Sequence, residues 1–418
     1  MWGASVAAHQ VDGGAHDQWT VWELAHASEL AKTAKTRLDY LAKLAGMNKI
    51  SNKNLIPASK PENYVSASGI EHYKRYEEDF NLLETLNLNA FRFSIDWSRI
   101  EPEEGVWDRA AIEHYRDYIK SLKKRNIEPV VTLWHWTVPV WFSEKGEFEK
   151  AENIKYFERF VKKIAKEYSD DLRYVITLNE PGVHILLSYI LGTRPPQKKN
   201  YILAVKVMFN LVTAHKRAYK ILKKENITLR VGVAYSISNI QPQDPHSLRH
   251  GASAKMAAYI GSWWYLDRIA KSQDFIGLNY YFTDYKNSNP KQIHNPKYPT
   301  NDLGWYMEPE GVYDVLMQVW RRYNKPIIVT ENGLADSEDK WRKWWLEQTM
   351  HSLEKALAEG VDLRGYLHWS LLDNFEWDYG WWPQFGLVHV DRGAGMKRII
   401  RPSAYWYADY IRQQIQKN

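Results

Sequence analysis

Short apolar runs without polar alternation recur along the chain. Seven of them occupy residues 90–95, 128–136, 173–180, 229–236, 274–281, 325–332 and 363–370, and the opening segment WGASVAAHQ makes an eighth. Runs of this length that are rich in apolar and β-branched residues are typical of strands buried on both faces. The pattern therefore predicts eight buried strands.

Amphipathic helical segments separate most of these predicted strands. One segment ends at Gly360, and another carries apolar residues at helix spacing, namely Ile154, Phe157, Phe160, Val161 and Ile164. Strands that alternate with helices form parallel sheets, and eight such units without an obvious linker predict a closed barrel. We expect an α/β fold in which residues 1–418 form a single (β/α)₈ domain.

One segment exceeds what a minimal barrel needs. Leu24–Ala45 is rich in Ala and Lys and predicts helix, whereas Asn48–Ser66 is polar and rich in turn residues. We interpret both as one helical and loop insertion at about residues 24–66, between the first and second strands. Such a segment either forms a lid near the barrel mouth or only covers the surface.

Composition and charge narrow the class of protein. The 56 Lys and Arg against 50 Asp and Glu give a net charge of +6, spread along helix-like segments, which does not favour a nucleic-acid partner. No apolar stretch approaches the roughly 18 residues of a spanning helix, and the first residues lack a signal-peptide pattern, so we expect a cytoplasmic protein without membrane insertion. The absence of Cys excludes disulfides and thiolate chemistry. The 20 Trp and 27 Tyr suit either sugar-binding faces or a large aromatic core.

Polar and aromatic side chains gather in and at the ends of the predicted strands. They are Gln10, Arg92, His135, Trp136, Asn179, Glu180, Asn279, Tyr281, Glu331 and Trp369. The carboxyl ends of the strands of this barrel meet at one mouth, which is where active sites lie. We therefore expect these side chains to share one site.

Glu180 and Glu331 are the chemically informative pair. Each ends a buried strand beside an Asn, in TLNEP and VTENG. Two carboxyl groups that face each other, one protonated and one ionised, can cleave a glycosidic bond. Carboxylate pairs also bind metals or form ion pairs with Arg, so the spacing alone leaves these alternatives open.

Longer motifs indicate a family. They are, in chain order, AHQVDGG, EHYKRYEEDF, LNAFRFSIDWSRIEP, TLWHW, TLNEP, DFIGLNYY, GWYMEPEG, VTENG, RGYLHWSLLDNFEW and FGLVHVD. With these motifs the chain resembles the glycoside hydrolase family 1 β-glycosidases along nearly its whole length. It is most similar to the compact archaeal-type members, which share a stretch like TVPVW after the third strand.

The resemblance implies a retaining mechanism without a cofactor or metal. Glu331 corresponds to the nucleophile and Glu180 to the acid/base, while Arg92 and Tyr281 correspond to the contacts of the nucleophile. The implied substrates are small neutral β-glycosides or oligosaccharides, with β-glucosides first and β-galactosides, β-fucosides and β-mannosides also within reach. A transglycosylase and a non-catalytic carbohydrate-binding barrel are the alternatives, and a homo-oligomer is compatible with the sequence.

The same resemblance implies a set of sugar-binding residues. Trp369 corresponds to the aromatic platform beneath the sugar ring, Trp305 to a residue on the aglycone side, and Trp136 either contacts the sugar or only packs. The hydroxyl-binding positions are Gln10, His135, Asn179, Glu376 and Trp377. A carboxylate at position 376 accepts hydrogen bonds from neutral hydroxyls and repels a phosphate, so unphosphorylated sugars are favoured.

Three features depart from the family pattern, and they are the first strand, the segment before the sixth strand and the Ala- and Lys-rich insertion, which has no counterpart of assignable function. The apolar strand before AHQVDGG is nearly missing, and the segment between Trp264 and Asp274 is short, so we expect a short first strand and a more open rim. His246 and His250 have the spacing of metal ligands on a helix, but Pro245 precedes them and no Glu follows the first His, so we expect no metal there.

Overall fold

Eight parallel strands close into a barrel in the computed structural model, which describes residues 1–287, 295 and 297–417. The barrel order is β1-β10-β9-β7-β5-β4-β3-β2, and two further pairs, β6 with β8 and β11 with β12, lie outside it. The strands are β1 Trp2–Ser5, β2 Ala90–Ser94, β3 Glu128–Trp134, β4 Tyr174–Asn179, β5 Arg230–Ser236, β6 Asn239–Pro242, β7 Phe275–Asn279, β8 Thr283–Lys286, β9 Ile327–Glu331, β10 Leu363–Trp369, β11 Val388–Asp391 and β12 Lys397–Ile400. The predicted (β/α)₈ barrel is confirmed, although residues 288–294, 296 and 418 of the predicted range lie outside the described residues.

Helices surround this barrel. They are α1 Ala8–Val11, α2 Gln18–Lys32, α3 Ala34–Leu44, α4 Asn52–Ala58, α5 His72–Thr85, α6 Trp97–Ile100, α7 Arg109–Lys124, α8 Val140–Glu144, α9 Ile154–Tyr168, α10 Pro181–Ile185, α11 Tyr201–Glu225, α12 Leu248–Ala258, α13 Trp264–Ile269, α14 Gly311–Tyr323, α15 Arg342–Ala358 and α16 Pro402–Lys417. Single π-helical turns follow α10 at Leu186–Ile190 and α12 at Tyr259–Trp263. In α9 all five apolar residues of the predicted face are buried.

The first strand is short, as predicted, and it closes the barrel between β10 and β2. Trp2 pairs with Tyr366 on one side, and Gly3 pairs with Ala90 on the other. A Cβ atom at position 3 would lie 2.1 Å from the Ala90 carbonyl oxygen, so only glycine fits this approach. Inside the barrel, side chains such as Ile176 and Ile328 form a separate buried cluster, so the interior is packed and not a pore.

The predicted insertion lies over the mouth at the carboxyl ends of the strands. Its first half forms the later part of α2 and the whole of α3. Its second half, predicted only as polar and turn-rich, contains α4, whose first turn is capped by Ser51. The Asn48 amide donates to the Gly304 carbonyl at 3.0 Å, and Arg37 pairs with Asp378 at 3.4 Å. These contacts attach the insertion to the loops that follow β8 and β10.

Candidate active site

Glu331 is the last residue of β9 and is almost completely buried. Arg92 Nη1 donates to its Oε1 at 2.5 Å, and the Tyr281 hydroxyl donates to its Oε2 at 2.8 Å. A guanidinium and a phenol on opposite oxygens stabilise the charged form of a carboxylate. Gly333 is required behind it, since a Cβ atom there would lie 1.8 Å from the Trp369 carbonyl oxygen.

Glu180 directly follows β4 and has the opposite surroundings. Its backbone adopts a left-handed conformation with φ 43°, and its Oε1 accepts a hydrogen bond from Asn279 Nδ2 at 2.8 Å. Burial, together with the charge of Glu331, raises the pKa of Glu180 to about 8, and the Asn279 amide only partly opposes this rise. Glu180 therefore holds a proton at neutral pH beside a stabilised carboxylate.

A shared polar network connects the two acids through Asn179. Its Oδ1 accepts from Arg92 Nη2, the partner of Glu331, at 2.7 Å and from Asn279 Nδ2, the partner of Glu180, at 3.4 Å. The Asn179 Nδ2 group donates to His135 Nε2 at 2.9 Å. Burial and the nearby Arg92 hold the pKa of His135 well below its usual value, which leaves the ring neutral with its proton on Nδ1. Among the described residues no group accepts from that Nδ1.

Glu376 is a third buried acid on the same cavity. Burial is the main cause that raises its pKa to about 8, and the Arg194 cation opposes the rise. Gln10 donates through Nε2 to the Phe375 carbonyl at 2.8 Å and to Glu376 Oε2 at 3.4 Å. Gln10 Oε1 is buried without a hydrogen-bond partner within the described part of the chain. These groups offer hydrogen-bonding capacity that neutral hydroxyls would satisfy.

Aromatic rings border the polar groups. Trp369 and Trp377 are both buried, and Trp377 stacks on His9 with an interplanar angle of 6° and a centroid distance of 5.6 Å. Burial alone would lower the pKa of His9, but Asp17, at 2.9 Å, and Glu23 raise it to about 10. A buried imidazolium therefore lies directly behind the Trp377 ring.

The predicted residues surround one cavity of about 480 Å³. Ten of the twelve line it, and they are His135, Trp136, Asn179, Glu180, Tyr281, Trp305, Glu331, Trp369, Glu376 and Trp377. The other two, Arg92 and Gln10, lie behind the lining and act on it through Glu331 and Glu376. Trp136 lines the cavity and also packs, because its indole N–H donates to the Asn179 carbonyl at 3.0 Å.

Four contributions to the site were missed by the sequence analysis. Asn279 was recognised at a strand end but not as the partner of Glu180, and Arg194, which pairs with Asp378 at 2.6 Å, carried no motif signal. The His9 imidazolium lies within AHQVDGG and could have been noted there. The apolar lining contributed by α3 could have been found from its helical periodicity.

The structure offers no alternative centre of metal chemistry in the part that it describes. Residues 1–287, 295 and 297–417 contain no group of three His, Cys, Asp or Glu side chains placed to hold a metal ion. His250 Nδ1 instead accepts a hydrogen bond from the Asp244 backbone amide at 3.2 Å. Among the same residues no helix is long and apolar enough to cross a membrane.

Comparison with known proteins agrees with this geometry. A family profile described as "Glycosyl hydrolase family 1" matches residues 53–273 and 265–416. Beta-glucosidase A of Acetivibrio thermocellus is 28% identical over 99% of this chain and 97% of its own, and a beta-galactosidase of Saccharolobus solfataricus is 30% identical over 85% of this chain and 86% of its own. The solved structure of a beta-glycosidase from Pyrococcus horikoshii superposes with a TM-score of 0.83 at 31% identity, covering 98% of this chain and 93% of that one. The chain therefore belongs to glycosyl hydrolase family 1 and is a β-glycosidase of the retaining type that acts on O-glycosyl bonds.

Proposed function

We propose that Glu331 and Glu180 carry out a double displacement on terminal, non-reducing β-linked sugars. The observation that supports this assignment is that two buried carboxyl groups on one cavity have opposite surroundings, of which one favours the charged form and the other the protonated form. Glu331 accepts from a cation and a phenol, whereas Glu180 accepts from a neutral amide and has its pKa raised to about 8 by burial and by the charge of Glu331. One group is prepared to attack, and the other is prepared to donate a proton.

In the first step, a Glu331 oxygen forms a bond to the anomeric carbon while the bond to the leaving oxygen breaks. The Glu180 proton passes to that oxygen, so the aglycone departs as a neutral alcohol. Glu331 is now an ester and carries no charge, which removes one cause of the high pKa of Glu180. Glu180, left as a carboxylate by the first step, therefore stays ionised and accepts a proton from water. The oxygen of that water bonds to the anomeric carbon as the bond to Glu331 breaks, which restores the original configuration.

The sugar side of the cavity suits neutral hydroxyls. His135 Nδ1 can donate, and the second hydrogen of the Asn179 amide has no acceptor among the described residues. Glu376 can accept or donate because its pKa is raised to about 8. Trp369 supplies a flat face for the C–H side of the ring. We propose β-glucosides as the first substrates and β-galactosides, β-fucosides and β-mannosides as further ones, in line with relatives named beta-glucosidase and beta-galactosidase.

The nucleophile is tested with Glu331→Ala. Turnover of nitrophenyl β-glucoside should vanish, and added azide should restore release of nitrophenol while forming the glycosyl azide of inverted configuration, since azide fits the space that the carboxylate leaves. The exposed Glu338, seven residues further on, provides a matched control as Glu338→Ala, which should keep wild-type activity. Unassisted hydrolysis by Glu331→Ala would reject the assignment.

The acid/base is tested with Glu180→Gln. A nitrophenyl leaving group needs little protonation, so the first step should remain fast while breakdown of the glycosyl-enzyme becomes slow. Unactivated alkyl glucosides should lose turnover altogether. Undiminished hydrolysis of alkyl glucosides would reject the role of Glu180, and the absence of any turnover by the wild type would favour a non-catalytic binding barrel.

A further inference from the structure

The cavity has two chemically different zones. The inner zone contains the acids and their partners, including Glu180, Glu331, His135 and Glu376. The outer zone is bounded mainly by aliphatic and aromatic side chains from three different parts of the chain. At about 480 Å³ the whole cavity is in the range that holds a drug-sized ligand, about 300 to 1,000 Å³. It therefore has room for a substituent attached to the sugar.

The first outer wall is one face of α3. Leu38, Leu41 and Ala42 line the cavity, and their spacing of three and four residues places them on the same side of the helix. Leu44 and Ala45, at the end of the helix, extend this lining. Tyr40, between them in sequence, is 59% exposed and does not contribute to the lining. The insertion therefore presents its apolar face to the cavity and its polar face to solvent.

The second wall begins within one turn of the proton donor. Glu180 is the residue before α10, and Val183, Leu186, Leu187 and Leu191 from α10 and the π-helical turn after it line the cavity. Because Glu180 protonates the leaving oxygen in the proposed mechanism, the group attached to that oxygen must lie along this wall. The aliphatic zone is thus on the aglycone side.

The outer zone offers few free partners for a second sugar. Arg194 pairs with Asp378 through Nε at 2.6 Å, which leaves its Nη1 as a buried donor without a hydrogen-bond partner among the described residues. One such donor cannot satisfy the several hydroxyl groups of a sugar aglycone, so most of them would lose water here without compensation, which disfavours binding. A hydrocarbon aglycone has no hydroxyl groups to desolvate, and every methylene that leaves water makes its binding free energy more favourable.

From this arrangement we propose that the outer zone is a binding site for hydrocarbon aglycones, and that the enzyme prefers β-glucosides of alkyl alcohols over β-linked disaccharides. The inference rests on the proposed function, because Glu180 defines the aglycone side. It adds the chemical class of the leaving group and assigns the insertion a direct role in selecting it.

The experiment compares ethyl, butyl, hexyl and octyl β-glucosides with cellobiose, each below the concentration at which the glucosides form micelles. These alcohols have similar basicity and so are similar leaving groups. Differences in kcat/KM therefore report how well the alkyl group is bound when the glycosidic bond breaks. A methylene moved from water into an apolar site should raise kcat/KM about threefold to fourfold, or roughly 100-fold over four methylenes. Octyl glucoside should also exceed cellobiose.

Two variants test the walls, and each of them places a polar amide on one wall. Leu41→Asn and Leu187→Asn should each reduce the increase in kcat/KM per methylene, measured within each variant as the ratio of octyl to ethyl glucoside. Tyr40→Asn, on the solvent side of the same helix, should keep the full increase. A flat or falling chain-length series in the wild type, or equal slopes in all three variants, would overturn the inference. Failure of the proposed function is distinct, since then no glucoside, including the nitrophenyl one, would be hydrolysed.

Discussion

Removing the charge of Glu331 should lower the pKa of Glu180 without changing its burial. The pKa of Glu180 is raised from 4.5 to about 8, with burial as the larger cause and the charge of Glu331 as the second. Two unit charges about 5 Å apart, the separation typical of retaining enzymes, repel by about 3 kcal/mol at an effective dielectric constant of about 20, which corresponds to about 2 pKa units. Because burial remains the larger cause, we expect Glu331→Gln to lower the pKa by about 1 to 2 units.

The measurement is an NMR titration of ¹³C-labelled glutamate carboxyl groups in Glu331→Gln, with the Glu180 signal assigned by its loss in Glu331→Gln/Glu180→Gln. The wild type titrated in parallel gives the reference. Glu338→Gln is the control, because the Glu338 side chain is 67% exposed and pairs with Lys53 instead of an active-site group. This variant should leave the pKa of Glu180 unchanged. A pKa in Glu331→Gln within half a unit of the wild-type value would refute the electrostatic coupling. The exchange of acid and base roles between the two chemical steps would then lack its physical cause.

Three further substitutions test the surroundings of the acids. Asn279→Ala removes the amide that lowers the pKa of Glu180, so the alkaline limb of the pH profile of kcat/KM should move upward by about one unit; a limb that stays in place would contradict this. Tyr281→Phe removes a hydrogen bond to the Glu331 carboxylate worth about 1.5 to 3 kcal/mol, so kcat/KM should fall about 10- to 150-fold, and a change in KM alone would be unexpected. Glu376→Gln should become more stable than the wild type as pH rises from about 4.5 to 8. In that window the folded wild type keeps the Glu376 proton that the unfolded chain loses, so its free energy of unfolding falls by at most about 1.4 kcal/mol per pH unit. A difference in denaturation midpoint between the two proteins that does not change with pH would contradict this.

The barrel and the pairing of the two acids could be predicted because both are local in sequence. Each strand is a continuous apolar run, and Glu331 or Glu180 at its end must point to the common mouth once the sheet is parallel. The role of Asn279 could not be predicted in this way. It depends on Thr330 Oγ1, which donates to Asn279 Oδ1 at 2.6 Å and so directs the amide nitrogen towards Glu180. Such orientation is decided by neighbours that are distant in the chain.

The insertion shows a second limit of sequence patterns. The apolar face of α3 could have been found from its helical periodicity, but its partner surface could not, because the opposite wall comes from residues 183–191, far along the chain. Trp136 illustrates the same point on a smaller scale. Its indole both lines the cavity and donates to the Asn179 carbonyl, so the choice between sugar contact and packing had no single answer.

Glu23 connects the two ends of the insertion. This residue directly precedes the insertion, and its Oε1 accepts from both the backbone amide and the hydroxyl of Ser66, at the far end, at 2.8 and 2.5 Å. Its other oxygen lies 3.4 Å from the His9 imidazolium behind Trp377. Swinging the whole segment outward would remove one of the two carboxylates that face this buried cation and leave Asp17 as the other, at a cost in free energy. Outward movement of the insertion would therefore break contacts at both of its ends as well as those of Arg37 and Asn48 in its middle.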